Sequence, residues 1–267
     1  MSEESSRRAE EGDTGYGSDV GRDLSDGPPP AWRDSAPLVV DPIDADAPVS
    51  GHVPAAADGP SPSLAPEHDW DAARAVLVPL LRPAGTAGIR LADVDRSAMA
   101  LSTSSHTLPL LGDGPADLVV VYAIPASGFD VVANGEHLIS WGVEPADVHA
   151  AAMANLAAWS AGATWTGEES GQRRLLSSDS GEGPDATRIL LPDVRAYLTG
   201  ALGPVGGPIL VGLPDRHLLV AGASTADDSE FVAQLAGFVA DHAEGADEPI
   251  DRRLFQLVGD ELRPLAG

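Results

Sequence analysis

The chain has 267 residues and carries 41 acidic side chains against 16 basic ones, which gives a net charge of −25 at pH 7. It contains no cysteine, and every basic residue is arginine, so disulfide frameworks, thiolate metal sites, cysteine nucleophiles, Schiff-base lysines and phosphate-loop lysines are excluded. The negative charge repels phosphate backbones and anionic lipid, so we expect neither nucleic acid nor a membrane as a partner. With no run of about 18 apolar residues and no apolar leader, the expected location is the cytoplasm.

The first 66 residues differ in composition from the rest of the chain. They hold 13 acids, 4 arginines, 10 of the 23 prolines and 7 glycines, with few large apolar residues. Such a segment cannot bury enough apolar surface to offset the entropy lost on ordering. We therefore expect residues 1–66 to be a disordered acidic tail with one short apolar piece at residues 37–43, and residues 67–267 to form the folded domain. A tethered interaction motif in that piece is the alternative interpretation.

The folded part opens with a helix predicted over residues 70–81. Asp69 is placed to cap its first turn, and Pro79 should kink or shorten it by removing one backbone hydrogen bond. The apolar face of this helix would consist of Trp70, Leu77 and Leu81. Two short strands are predicted after it, at residues 89–91 and 99–101.

The apolar run at residues 117–124 predicts a central strand, because both of its faces are apolar. Pro125 should end that strand, and residues 129–132 should pair with it as a hairpin. A short helical turn at residues 136–141 follows and closes at Gly142.

The second half alternates helices with hairpins. The predicted elements are a helix from Pro145 to about residue 160 ended by Gly162, strands at residues 173–178 and 187–190, a helix from Pro192 to about residue 202, a hairpin over residues 208–221, a helix capped by residues 227–230, and a last hairpin over residues 253–265. Because the hairpins are adjacent in sequence, this order predicts an α+β fold with a mostly antiparallel sheet and packed helices. One domain and two lobes sharing a sheet both fit, and residues 162–185 are where a division into lobes is expected.

The turn inside the hairpin over residues 208–221 places three ionisable side chains together, namely Asp215, Arg216 and His217. Pro214 and Asp215 are common turn residues, so the turn needs no function to explain it. In the functional interpretation, Arg216 holds an anionic group while the imidazole of His217 moves a proton. These three residues are the catalytic candidates.

Three further residues are candidates for binding a ligand. Asn155 falls on the apolar face of the helix from Pro145, where its amide is either a ligand contact or a buried group bonded to a neighbouring strand. Glu136 and His137 are candidates for the third group that a catalytic turn would need. No two histidines have the i, i+4 spacing of a helical zinc site, so neither a metal site nor a cofactor is predicted.

Six blocks of sequence carry a further signal through their order. They are residues 117–122, 138–142 and 152–156 in the first half, and residues 207–217, 227–231 and 249–255 in the second. Together they resemble the YtpQ-like family of uncharacterised bacterial proteins, over residues 117–265. The resemblance implies a cytoplasmic α+β protein, and since that family has no established activity it transfers no catalytic residue.

Two functions remain open from the sequence. The first is a non-catalytic binding or regulatory module for an unknown protein or small-molecule partner, with the acidic tail as a solubiliser or tether. The second is a hydrolase or transferase that acts on an anionic small substrate through residues 215–217. Whether the candidate side chains face one pocket distinguishes the two.

Overall fold

A computed structural model describes residues 66–265 and, for the backbone alone, strand β1 (Leu38–Val40). These residues all belong to one compact unit of the chain. They form an α+β fold of two largely antiparallel sheets with packed helices, as predicted. The predicted tail lies outside the described residues except for β1 and Pro66.

The first sheet is built from residues 78–132. Its strands are β2 (Val78–Arg82), β3 (Ile89–Arg90), β4 (Leu110–Asp113), β5 (Val119–Ala126) and β6 (Phe129–Val132). The order is β2-β5-β4-β3, β6 also pairs with β5, and of these described pairs only β3 with β4 is parallel. The predicted central strand and its hairpin mate are therefore confirmed as β5 and β6.

The helix predicted over residues 70–81 is wrong in its second half. Asp69 does cap helix α1 (Trp70–Val76), because its carboxylate accepts a hydrogen bond from Ala72 N at 2.8 Å. The chain then enters β2 instead of continuing the helix. Pro79 explains the change, since a proline inside the helix would remove a backbone bond and clash with the preceding turn.

Two prolines lie within strands of the first sheet without breaking its ladder. Pro79 is in the edge strand β2, and its nitrogen faces away from β5; the Leu81 amide, which faces the same way, bonds Thr187 Oγ1 at 3.1 Å. Pro125 does not end β5, which was the expectation, but pairs with Asp130 of β6. Its nitrogen also points away from β6. Backbone groups of successive residues in a strand point to opposite sides, and Tyr122, which bonds Ala133 after β6, is an odd number of residues from Pro125.

Two other short segments differ from the prediction. Residues 99–101 are not a strand but part of helix α2 (Arg96–Leu101), whose first turn is capped by Asp95. Residues 187–190 are not a strand either, because they belong to a buried 3-10 helix, Asp185–Leu190. Apolar runs this short look alike in a strand and in a helical turn, so the pattern alone could not separate them.

Helices α3 (Gly135–Trp141) and α4 (Pro145–Gly162) follow the prediction. α3 ends at Gly142, whose φ of 70° lies in the left-handed region that glycine adopts without strain. α4 packs against α1 and β2 and buries Val148, Ala152 and Leu156. It therefore covers the edge of the first sheet on the side where β2 lies.

The second sheet joins β1 to six strands from the C-terminal part. They are β7 (Trp165–Ser170), β8 (Arg173–Asp179), β9 (Ile209–Asp215), β10 (Leu218–Ala223), β11 (Leu254–Val258) and β12 (Glu261–Pro264), in the order β1-β7-β8-β10-β9-β11-β12. The two predicted hairpins, β9–β10 and β11–β12, are confirmed, whereas the sequence pattern did not indicate β4 or β7. The predicted helices α5 (Pro192–Leu202) and α6 (Ser229–Gly245) both contact β9.

Both sheets contribute to the largest apolar cluster of the described part. Its members include Tyr122 of β5, Leu156 of α4, Trp165 of β7 and Phe255 of β11. A shared core fixes the two sheets against each other, and the division into lobes at residues 162–185 stays a prediction. No helix among the described residues is long and apolar enough to span a membrane.

Candidate functional site

The turn between β9 and β10 is held by its own side chains and by the segment before β11. Asp215 Oδ1 accepts a hydrogen bond from His217 N at 2.7 Å, which closes the turn locally. Pro214 O accepts another from Ile250 N at 2.9 Å. Asp215 also borders a surface cavity beside His242 of α6, away from the cavities that Arg216 borders. The structure therefore gives Asp215 a turn-forming contact and separates its cavity from those of Arg216.

Arg216 lies at the centre of an ionic network that joins the two sheets. Its Nη1 bonds Asp130 Oδ2 and lies 3.2 Å from Glu248 Oε1, and Glu248 Oε2 lies 2.6 Å from Arg82 Nη2. Arg82 and Asp130 belong to strands of the first sheet, whereas Arg216 and Glu248 belong to loops of the second. Arg216 and its partner Asp130 are only 14% and 15% exposed, so the pair is largely shielded from water.

The same network sets the protonation of Glu248. Burial raises the pKa of this carboxyl group, but the hydrogen bonds and charges of Arg82 and Arg216 outweigh burial, and the pKa lies below its ordinary value. Glu248 is therefore ionised at neutral pH and keeps both arginines paired.

His217 faces the loop between β8 and the 3-10 helix. Its Nδ1 lies 2.8 Å from Gly183 O, and because a carbonyl oxygen only accepts, Nδ1 carries the proton in the neutral ring. Nε2 is then the basic nitrogen. The backbone oxygen of Arg216 accepts from Ala186 N at 3.2 Å, so the turn is tied both to this loop and to the 3-10 helix that follows it.

Two adjoining cavities meet at Arg216, and together they are named the Arg216 groove. The larger, of about 600 Å³, is bordered among others by Phe129, Asp130, Glu182, His217 and Glu248. The smaller, of about 400 Å³, is bordered among others by Val76, Val78, Asn155, Ala158 and Trp159. Pro125, Glu182 and Arg216 border both cavities. The structure therefore brings Arg216, His217 and Asn155 to one groove.

Asn155 makes the structural contacts considered for it and also borders the smaller cavity. Its Nδ2 donates to Arg74 O at 2.9 Å and to Leu77 O at 2.8 Å, which fastens α4 to the end of α1 and the start of β2. Both donors are thereby used, and the orientation of the amide is fixed because each partner is an acceptor. Among the described residues no donor bonds Oδ1, which lies on a side chain that borders the smaller cavity.

Glu136 and His137 lie elsewhere, at the start of α3, and border neither cavity of the groove. His137 Nδ1 accepts from Asn134 N at 3.1 Å, Asn134 Oδ1 accepts from His137 N at 3.2 Å, and burial lowers the pKa of the imidazole. Glu136 Oε1 accepts from His106 N at 2.7 Å. These contacts cap a helix and fix a loop, so neither residue joins the turn at Arg216.

Sequence reasoning missed the partners of Arg216. Asp130 and Glu248 lie 86 and 32 residues away from it in the chain, and no local pattern links them. Trp159 of α4, which is half-buried, also borders the groove. The sequence offered one indication for Asp130, namely an acidic residue inside the apolar strand predicted at residues 129–132.

No protein-family model, curated protein or solved structure matches the chain. The likeness to the YtpQ-like family therefore stays a prediction. Among the residues that the structure describes, no three histidine, aspartate or glutamate side chains come together in a way that could hold a metal ion.

Proposed function

We propose that the chain is a non-catalytic binding module and that the Arg216 groove is its binding surface. One observation supports this most directly: the Arg216 guanidinium, the cation that an anionic substrate would need, is already paired with Asp130 and Glu248. Taking Arg216 away from Asp130 for a substrate would leave a partly buried carboxylate without its partner, which is costly. A groove whose arginine already holds two carboxylates is suited to binding without turnover.

The alternative, a hydrolase or transferase, rests on the basic Nε2 of His217 at the edge of the larger cavity. It requires an anion-holding group beside that nitrogen. Asp130, Glu182 and Glu248 border the same cavity and would repel an anion. The charge of the groove therefore favours binding over chemistry on an anionic substrate. We place the module in the cytoplasm, since a chain without cysteine needs no oxidising compartment to fold.

A blocked groove tests the proposal. Ala158 and Ala157 are adjacent exposed positions of α4, but only Ala158 borders the groove. Peptides selected from a random display library on the full-length chain should bind wild type and Ala157→Trp equally. Ala158→Trp should weaken their binding at least about tenfold, because the indole fills the smaller cavity.

Turnover is the outcome that would contradict the proposal. A panel of ester, phosphoester and acyl-donor substrates should show no activity that His217→Ala removes. If such an activity appears, and if thermal melting shows that His217→Ala is folded, the module is an enzyme and the alternative holds.

A further inference from the structure

The two halves of the Arg216 groove differ in chemistry. The smaller cavity is walled by apolar side chains from three elements: Val76 of α1, Val78 of β2 and Trp159 of α4. Val76 is 40% exposed, and Phe129, at the edge of the larger cavity, is 65% exposed. Two of the five exposed large apolar side chains in the described part thus border one groove. Exposed apolar groups that gather at a concave surface favour contact with an apolar partner group.

A fixed hydrogen-bond acceptor lies in the same half. The Asn155 amide is held by Arg74 O and Leu77 O through its nitrogen, so its oxygen is the group left for an outside donor. A carbonyl oxygen held in one orientation loses no rotational freedom when a donor binds it. A backbone N–H of an extended segment is a donor of the right kind.

The larger cavity carries excess negative charge. Three carboxylates border it, from Asp130, Glu182 and Glu248, whereas Arg82 and Arg216 are the two arginines in contact with them. Asp130 and Glu248 are paired, and Glu182 makes no ion pair with the rest of the described chain. The exposed carboxylate of Glu182 is therefore available to pair with a cation of a partner. The net charge of −25 on the chain attracts cations from a distance.

We propose that the groove takes an extended segment of a partner protein in which a lysine or arginine lies close to a large apolar residue. The apolar side chain enters between Val76 and Trp159, a backbone N–H of the segment bonds Asn155 Oδ1, and the cation reaches Glu182. This inference rests on the proposed function of the groove.

The sequences of the selected peptides give the first test. Groove-dependent peptides are those that bind Ala158→Trp more weakly than Ala157→Trp. These peptides should carry a basic residue within about three positions of a large apolar one, roughly 10 Å along an extended chain. Fluorescence anisotropy with labelled copies should show weaker binding as sodium chloride is raised, since one cation is paired with one carboxylate.

A charge exchange gives the second test and separates a contact from a structural effect. Glu182→Arg should weaken a basic peptide at least about tenfold, and replacing the basic residue of that peptide by glutamate should restore binding to Glu182→Arg but not to wild type. Such a rescue cannot come from a variant that only disturbs the fold.

The outcomes distinguish this inference from the function on which it rests. Groove-dependent peptides that are acidic or uncharged, or a charge exchange without rescue, would overturn the partner class and leave the binding module standing. Failure to select any peptide that Ala158→Trp weakens more than Ala157→Trp would overturn both.

Discussion

Arg188 and Arg216 are both withdrawn from solvent, yet their charges are balanced in different ways. Arg188 is fully buried, and its guanidinium donates to Ser160 Oγ at 2.9 Å and to Ser178 Oγ at 2.5 Å while lying 4.5 Å from the ring centre of Trp165. Arg216 instead contacts carboxylates directly and borders an open groove. One cation is enclosed by neutral partners, and the other is paired at a surface.

The carboxylate nearest in role to the partners of Arg216 is Asp185, which reaches Arg188 only through a serine hydroxyl. Asp185 is also fully buried, and Ser178 Oγ stands between them, bonding both groups. Burial lowers the pKa of Arg188 to about 10, an effect that the charges of Asp185 and Tyr197 oppose, so the guanidinium stays charged at neutral pH. An enclosed cation of this kind holds the segments around it together. A paired cation at the junction of two sheets can hold the fold and border a ligand at the same time.

Removing the enclosed cation should have the largest effect. Arg188→Met leaves Asp185 buried without a countercharge and should lower the free energy of unfolding by about 3–5 kcal/mol. Urea unfolding followed by circular dichroism measures this loss. Arg263→Met is the matched control, since Arg263 pairs with Glu261 at an exposed site, and should cost less than about 1 kcal/mol. Equal losses would break the contrast between enclosed and surface arginines.

Weakening the junction should have an intermediate effect. Asp130→Asn removes one charge from the Arg216 network and should cost about 1–3 kcal/mol, between the values typical of exposed and buried pairs. Asp117→Asn, which loses a more exposed pair with Arg253, is the control and should cost less than about 1 kcal/mol. A loss at Asp130 no larger than at Asp117 would show that the network does not join the sheets.

Protonating Glu248 at low pH should have the smallest effect on the free energy of unfolding. Because Glu248 has a pKa below its ordinary value of 4.5 in the folded chain, its contribution to stability is present above that value and is lost as the pH falls through the folded pKa. The side chain is 35% exposed, so the contribution should stay below about 1 kcal/mol.

Urea unfolding from pH 7 to pH 3 measures this contribution. The difference between wild type and Glu248→Gln should shrink as the pH falls. Glu244→Gln, at an exposed pair with Arg252, should show little difference at any pH. A difference that grows toward acid would reverse the sign of the expected linkage.

The local features of the fold could be predicted from the sequence. The hairpin at residues 208–221, the cap at Asp69 and the helix end at Gly142 depend on neighbouring residues whose turn and cap preferences are strong. Pro79 was expected to kink or shorten a helix, and the helix does end before it. The strand in which Pro79 lies could not be predicted, because its place on a sheet edge depends on a partner strand about 40 residues later.

The candidate site could be predicted only in part. Arg216, His217 and Asn155 were named from local pattern, and the structure brings them to one groove. The pairing that determines what the groove can do comes from Asp130 and Glu248, which reach Arg216 only after two sheets have packed together. Contacts of this kind, between segments far apart in the chain, produce no residue pattern that can be recognised in a single sequence.

The affinity of one groove-selected peptide for three forms of the full-length chain tests the central claim most directly. The claim predicts equal dissociation constants for wild type and Ala157→Trp and a constant at least about tenfold higher for Ala158→Trp, with the same melting temperature for both variants. Equal affinity of all three forms would show that the Arg216 groove is not the binding surface.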